Sequence, residues 1–368
     1  MAFTAQDVKT LREKTGVGMM ECKKALVESD GDMEKAMDYL RERGLAAATK
    51  KAGRTAADGV VLAYTDEAKK LSVLVEVNSE TDFVGKNEKF QAFVLDVAKT
   101  IVENNPADVE DLLSVNLIGS DRTVQENLQD LILSIGENMK IRRFARVEGD
   151  VCSYIHMGGS VGVMVKFATT DAIAATEEFK AMGKNVAMQI AAMQPEYLSQ
   201  DDISADELAK MKNIIIESSL NKPDTLPKPI LTKVIAEAIE KKLWADADIA
   251  AYEEQKNNKF LFNFLSEEAV ATLATLAVAG KDEFVNDKIF AGATDGRIKK
   301  QIKEICLLEQ AFVRTDLFEG SVGGYVADVA KKLGGDIKVE SFICYVKGEG
   351  IEKKEENFAD EIAKMVKG

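Results

Sequence analysis

The residues best placed to act on another molecule are Thr81, Asp82, Phe83 and Val84, which close the run Asn78-Ser79-Glu80-Thr81-Asp82-Phe83-Val84. Their chemistry is non-covalent: a hydroxyl and a carboxylate that can cap a helix or meet a partner, and an aromatic that can act as a wedge. The run lies in one half of an internal repeat. Tyr64, Val73, Val75 and Val77 return as Tyr154, Val163, Val165 and Phe167. After the run the offset shortens by one, and Phe90, Ala92, Val97, Ala98 and Ile101 return as Phe179, Ala181, Val186, Ala187 and Ile190. Thr81-Asp82 matches Thr170-Asp171, which supports an N-cap role for the pair, alongside a contact role for Asp82. Phe83 instead faces Ala172, and a cap requires no aromatic. The other reading of Phe83 is a hydrophobic staple on the following helix. A bulky aromatic in one copy alone points to function.

Few other residues offer chemistry. His156 is the only histidine, at a strand end before Met157-Gly158-Gly159. From its position it is a turn or surface residue, and one histidine makes no metal site. Arg12, Met19, Met20 and Lys23 surround a Gly16-Val17-Gly18 break. Exposed paired methionines suit adaptable binding surfaces, although core is the usual place for one of them. Cys22, Cys152, Cys306 and Cys344 follow no ligand spacing and read as free or buried thiols of a reducing compartment. No phosphate-cradling glycine run follows a strand, and no nucleophile–histidine signature is present. Gly348-Glu349-Gly350 reads as a turn. Neither a catalytic site, a cofactor nor a metal is expected.

Length and charge set the frame. The 368 residues allow two or three cores, and 46% apolar with 30% charged residues describe a globular chain. A net charge of −14 argues against direct nucleic-acid binding and against an anionic membrane surface. The polar start carries no signal peptide, and the apolar stretch 260–278 contains Asn263, Glu267 and Glu268, so no membrane span is expected. The expected location is the cytoplasm.

The elements that must position these residues follow from periodicity. Residues 4–44 read as three helices: one started by Thr4 with Asp7, a second over 19–29 ending at Asp30-Gly31, and a third capped by Asp32 and closed by Gly44. Val61 and Ala63, then Leu71, Val73, Val75 and Val77, form a hairpin around Asp66-Glu67. A helix follows with Phe90, Phe93, Val94, Val97 and Ile101 on one face. A helix over 124–135 and a strand over 141–147 complete the first copy. The second copy repeats the plan with strands near 151–155 and 161–167 and a helix carrying Phe179, Met182, Val186, Ile190 and Met193. Its closing strand, at 337–346, places Val339, Ile343 and Tyr345 in the core. A helical insertion over about 203–296, interrupted by Pro223, Pro227 and Pro229, separates the pieces. The tail 357–366 reads as an amphipathic helix. The fold class is α+β, with helices on one face of small antiparallel sheets.

Four segments together resemble bacterial elongation factor Ts, the guanine-nucleotide exchange factor of elongation factor Tu. They are Leu11 to Leu26 (LREKTGVGMMECKKAL), Thr81-Asp82-Phe83-Val84, Leu307 to Gln310 with Phe312-Val313, and Gly348 to Glu352. The resemblance implies a ubiquitin-associated-like three-helix module over 1–45, a linker over 46–58, and core subdomains over 59–148 and 149–352. A C-terminal helical module over 353–368 follows. The insertion is a departure, because the family often has a shorter helical hairpin there. The resemblance further implies binding to GDP-bound and nucleotide-free elongation factor Tu, with Thr81, Asp82, Phe83 and Val84 disturbing its Mg²⁺ site. Arg12, Met19, Met20 and Lys23 would contact the GTPase domain, and His156 would be a further contact. The competing reading is a scaffold that binds a protein through the N-terminal module without exchange.

Overall fold

The computed structural model describes residues 3–352. The expected tail helix over 357–366 lies outside the described residues. The described residues divide into two compact units: residues 3–194 with 325–352, and residues 195–324.

The first unit begins with three helices, α1 (Ala5–Thr15), α2 (Met19–Glu28) and α3 (Met33–Lys51). Thr4 and Asp7 form a reciprocal capping box, and Gly16 ends α1 in the left-handed region at φ 68°. Val8, Leu11, Val17, Cys22, Leu26, Ala36 and Leu40 fill a small core. Gly16 also ties this bundle to the rest of the unit, its carbonyl accepting from Lys89 Nζ at 2.8 Å and Ser134 Oγ at 2.9 Å. The third helix does not close at Gly44. Leu45 to Ala48 are strong helix formers that carry it on to Lys51, through what reads as linker sequence. Gly44 instead lies mid-helix against α7, where a Cβ would be in ordinary contact, 3.4 Å from Asp130 Oδ1 and from the Gln129 carbonyl.

Two three-stranded antiparallel sheets follow. The first has the order β1 (Asp58–Asp66), β2 (Leu71–Ser79), β3 (Met139–Glu148), with α4 (Asp82–Gly85), α5 (Glu88–Asn104), α6 (Val109–Ser114) and α7 (Val124–Ile135) between β2 and β3. The second has the order β4 (Asp150–His156), β5 (Val161–Ala168), β6 (Lys338–Val346), with α8 (Asp171–Ala174) and α9 (Glu177–Met193) after β5. The repeat extends to a defect. The register of β2 on β3 shifts between Glu76 and Val77, and that of β5 on β6 shifts between the matching Lys166 and Phe167. Val73, Val75 and Val77 face α5, whereas Leu74 and its counterpart Met164 meet between the sheets. Every residue of β2 is buried, since helices cover one face and the second sheet the other. Gly162 permits that stacking, because a Cβ there would sit 2.4 Å from Val61 Cγ1.

The second unit holds α10 (Ala205–Asn221), α11 (Lys228–Glu240), α12 (Asp246–Gln255), α13 (Glu267–Ala279), α14 (Lys281–Val285) and α15 (Lys288–Ile305), and α16 (Val322–Leu333) leads out of it. Its core gathers Leu220, Ile230, Val234, Trp244, Leu273 and Phe290. The compact unit is wider than the expected 203–296, because its two ends pair. The Tyr197 amide donates to the Ile305 carbonyl at 3.1 Å, Leu307 to Tyr197 at 2.9 Å, and Leu308 to Leu198 at 3.0 Å. Replacing residues 199–305 with a short Gly/Ser linker is therefore expected to leave the remaining chain folding cooperatively. A broad, non-cooperative calorimetric melt of the shortened protein would show that the segment supplies core to the rest.

Candidate functional site

The motif forms one isolated helical turn. Thr81 occupies the N-cap position of α4, yet its side chain makes no bond to the helix backbone. The expected cap is absent, and the threonine hydroxyl is turned to a distant carboxylate instead. Thr81 Oγ1 donates to Glu137 Oε1 at 2.7 Å, and the Thr81 amide donates to Glu137 Oε2 at 3.0 Å. The long helix starts later, where Asn87 accepts from the Lys89 and Phe90 amides. In the second copy Thr170 likewise makes no side-chain cap, and Thr176 starts α9.

The C-terminal half of the turn is anchored. Val84 is buried in the core of the first sheet, and a Cβ on Gly85 would sit 2.9 Å from the Gly59 carbonyl. Phe83 points the other way and is 77% exposed. A staple would bury it, so that reading fails; Val84 and Phe90 supply the packing instead. Lys86 Nζ lies 5.9 Å from the Phe83 ring centroid and 3.0 Å from Asp82 Oδ2. The hydrogen bond from Lys86 holds the Asp82 carboxyl below its ordinary pKa, so Asp82 presents a negative charge beside the ring.

His156 ends β4, its Nδ1 2.9 Å from the Tyr154 hydroxyl. Next to it Met157 is 77% exposed with φ 46°. The Gly159 carbonyl accepts from the Val61 amide at 2.8 Å, so this turn docks on β1. The Phe83 turn and the His156 turn therefore flank the same stretch, Gly59 to Val61. A cleft of about 260 Å³ beside it is lined by Val60, Leu62, Gln91, Ile155 and Gly158, among others. Met157 was not singled out in the sequence, although an apolar residue ahead of two glycines was the available signal. Glu137 carried no signal at all.

The N-terminal residues form a second surface. Met19 and Met20 are both exposed, at 44% and 76%, so neither is core. With Lys23, Phe3, Thr4 and Val8 they line a recess of about 280 Å³. Arg12 is exposed on α1 but does not line it.

Reactive chemistry is scarce. The four cysteines are free, and burial pushes the Cys152, Cys306 and Cys344 thiols up to about 11, leaving them protonated near neutral pH. Among the described residues, no group of three or more His, Cys, Asp or Glu could hold a metal ion, and no helix is long and apolar enough to cross a membrane.

Known proteins agree on what this assembly is. The family described as Elongation factor TS matches residues 80–349. A protein named Elongation factor Ts from Clostridium perfringens strain SM101 is 41% identical over 366 residues, covering 99% of each chain. Namesakes from Clostridioides difficile strain 630 and Trichlorobacter lovleyi are each 40% identical, over 367 and 369 residues, and cover 99% of this chain. These matches place the chain among translation elongation factors. It belongs to the elongation factor Ts family. Because the matches run nearly end to end, the long insertion is not peculiar to this chain.

Proposed function

We propose that this protein binds elongation factor Tu, in GDP-bound and nucleotide-free forms, and promotes GDP release without any covalent step. The observation that carries this reading is Phe83, a large aromatic left 77% exposed on a turn whose next residues are anchored in the core. Nucleotide in such a GTPase is held by phosphate-loop amides, a lysine and a bridging Mg²⁺. Octahedral Mg²⁺ demands near-ideal geometry, so displacing the elements around it costs much of the nucleotide's affinity. Phe83 acts as the wedge, with Asp82 beside it, while Thr81 and Val84 hold the turn in place. His156 with Met157 extends this surface across β1. Arg12, Met19, Met20 and Lys23 supply a separate contact with the GTPase domain. The work is done in the cytoplasm and uses no cofactor, nucleic acid or membrane of its own.

The direct test is stopped-flow release of labelled GDP from elongation factor Tu, with and without this protein; an unchanged rate refutes the reading. Linkage adds a further expectation. A factor that weakens nucleotide binding is itself weakened by nucleotide to the same degree. Calorimetry should therefore give tighter binding to nucleotide-free elongation factor Tu than to the GDP form. Equal affinities would leave a binding protein without exchange activity, as the scaffold reading requires.

A further inference from the structure

The segment ahead of Phe83 is held by a carboxylate far away in sequence. Glu137 follows Gly136, the left-handed C-cap of α7, and receives both donors of Thr81, at 3.0 and 2.7 Å. Its neighbour closes a second link: the Asn138 amide donates to Glu80 Oε1 at 2.5 Å, and Asn138 Nδ2 donates to the Arg54 carbonyl at 2.8 Å. Arg54 in turn pairs with Glu80 at 3.5 Å. The two residues preceding Asp82-Phe83 are thus gripped by the two residues preceding β3.

The second copy lacks the grip. Strand register aligns Asn78 opposite Lys140 with Ala168 opposite Lys338, so Gly335 stands where Glu137 stands. A side chain there would require Ile173 to shift, a Cβ lying 2.5 Å from its Cδ1. At that junction the Thr169 hydroxyl donates to the Asp336 carbonyl instead. The strand–turn–helix connection therefore does not need a carboxylate clasp in order to fold. The clasp occurs in the copy that carries the aromatic, and is missing where the aromatic is Ala172.

We propose that Glu137 is a positioning residue for Phe83. The Phe83 ring is mostly solvated, so its direction is set by the backbone of α4 rather than by packing. Val84 and Gly85 fix the C-terminal side of that turn, and Glu137 fixes the N-terminal side by occupying both donors of Thr81. Holding the wedge in one orientation before contact removes an ordering cost from the complex. This inference rests on the exchange reading above.

The test is a double-mutant cycle on stimulated GDP release, with amide hydrogen exchange over residues 78–90 as a readout independent of the partner. Glu137→Ala is expected to slow release by about tenfold, as a misplaced contact group does, and to raise amide exchange at residues 81–84. In a Phe83→Ala background the same substitution should change release by less than about twofold. Glu137→Gln, which keeps an acceptor of the same length without charge, should recover most of the rate. Equal losses in both backgrounds would overturn the proposal, as would a Gln variant no better than Ala. Unchanged protection at 81–84 in Glu137→Ala would overturn it whatever the release assay gives. If Phe83→Ala alone exchanges nucleotide normally, the wedge reading falls, and with it the role of Glu137 in exchange; the amide readout still reports whether the clasp holds the turn.

Discussion

Phe83→Ala is expected to slow stimulated GDP release by roughly thirtyfold while leaving the melting temperature unchanged. The factor corresponds to about 2 kcal/mol, the scale of an aromatic anchor at an interface. Stability should hold because the ring is 77% exposed and contributes nothing to the core that Val84, Phe90 and Phe93 build. The protein already contains the alanine version of this junction, with Ala172 on α8. Asp82→Ala should also melt normally, since its carboxylate is solvent-exposed and its ion pair is with exposed Lys86. Its release rate should fall by less than that of Phe83→Ala. Both assays belong on one preparation. A Phe83→Ala protein that unfolds early and exchanges normally per folded molecule would make Phe83 structural and remove the centre of the proposed site.

The fold was readable where the signal was local. The Thr4–Asp7 box, the alternation over 71–77 and the helical spacing of Phe90, Val94, Val97 and Ile101 each reflect contacts within a few residues, and each element formed as expected. Gly44 misled for an instructive reason. Glycine signals a helix end through its backbone freedom, but here the helix formers that follow, Leu45 to Ala48, and packing against α7 carry the helix through it. The burial of β2 on both faces was also hidden. Alternation places Glu76 among solvent-facing residues, and only the second sheet, formed by distant strands, encloses it.

The site was half readable. Repeat asymmetry isolated Phe83, because comparison with Ala172 separates what the fold needs from what it does not. Whether that aromatic packed inward or stood exposed could not follow from the same pattern, since Val84 and Phe90 were equally able to fill the core. Thr81 takes the N-cap position without the side-chain bond, and the partner its hydroxyl does have, Glu137, lies 56 residues away. The convergence of the Phe83 and His156 turns on Gly59 to Val61 depends on sheet stacking, which no local spacing encodes.

Glu76→Ala is expected to be strongly destabilising for a polar substitution, at about 3 kcal/mol, the low end for breaking a buried ion pair. The Glu76 side chain is 0% exposed, and four donors hold its carboxylate between the sheets. These are the Gly348 amide at 2.8 Å, Asn78 Nδ2 at 3.0 Å, Arg143 Nε at 2.7 Å and Arg142 Nη1 at 3.1 Å. Truncation leaves two guanidinium groups without their shared counter-charge, and the Gly348 amide without an acceptor. The cost stays at the low end because the arginines keep other partners. Arg143 also bonds the Val346 carbonyl and Glu349, and its guanidinium lies 4.1 Å from the Tyr345 ring centroid. The pH dependence fixes the assignment. Burial alone would raise the Glu76 pKa, but the Gly348 amide, Asn78 and the two arginines outweigh it and hold the value below the ordinary 4.5. A depressed folded pKa means the contribution is complete above the unfolded value and is lost as pH falls through the folded one. Urea unfolding of both proteins should therefore show a constant gap near neutral pH that narrows only below about pH 4.5. A gap absent at pH 7, or one that widens on acidification, would mean that the carboxylate does not hold the two sheets together.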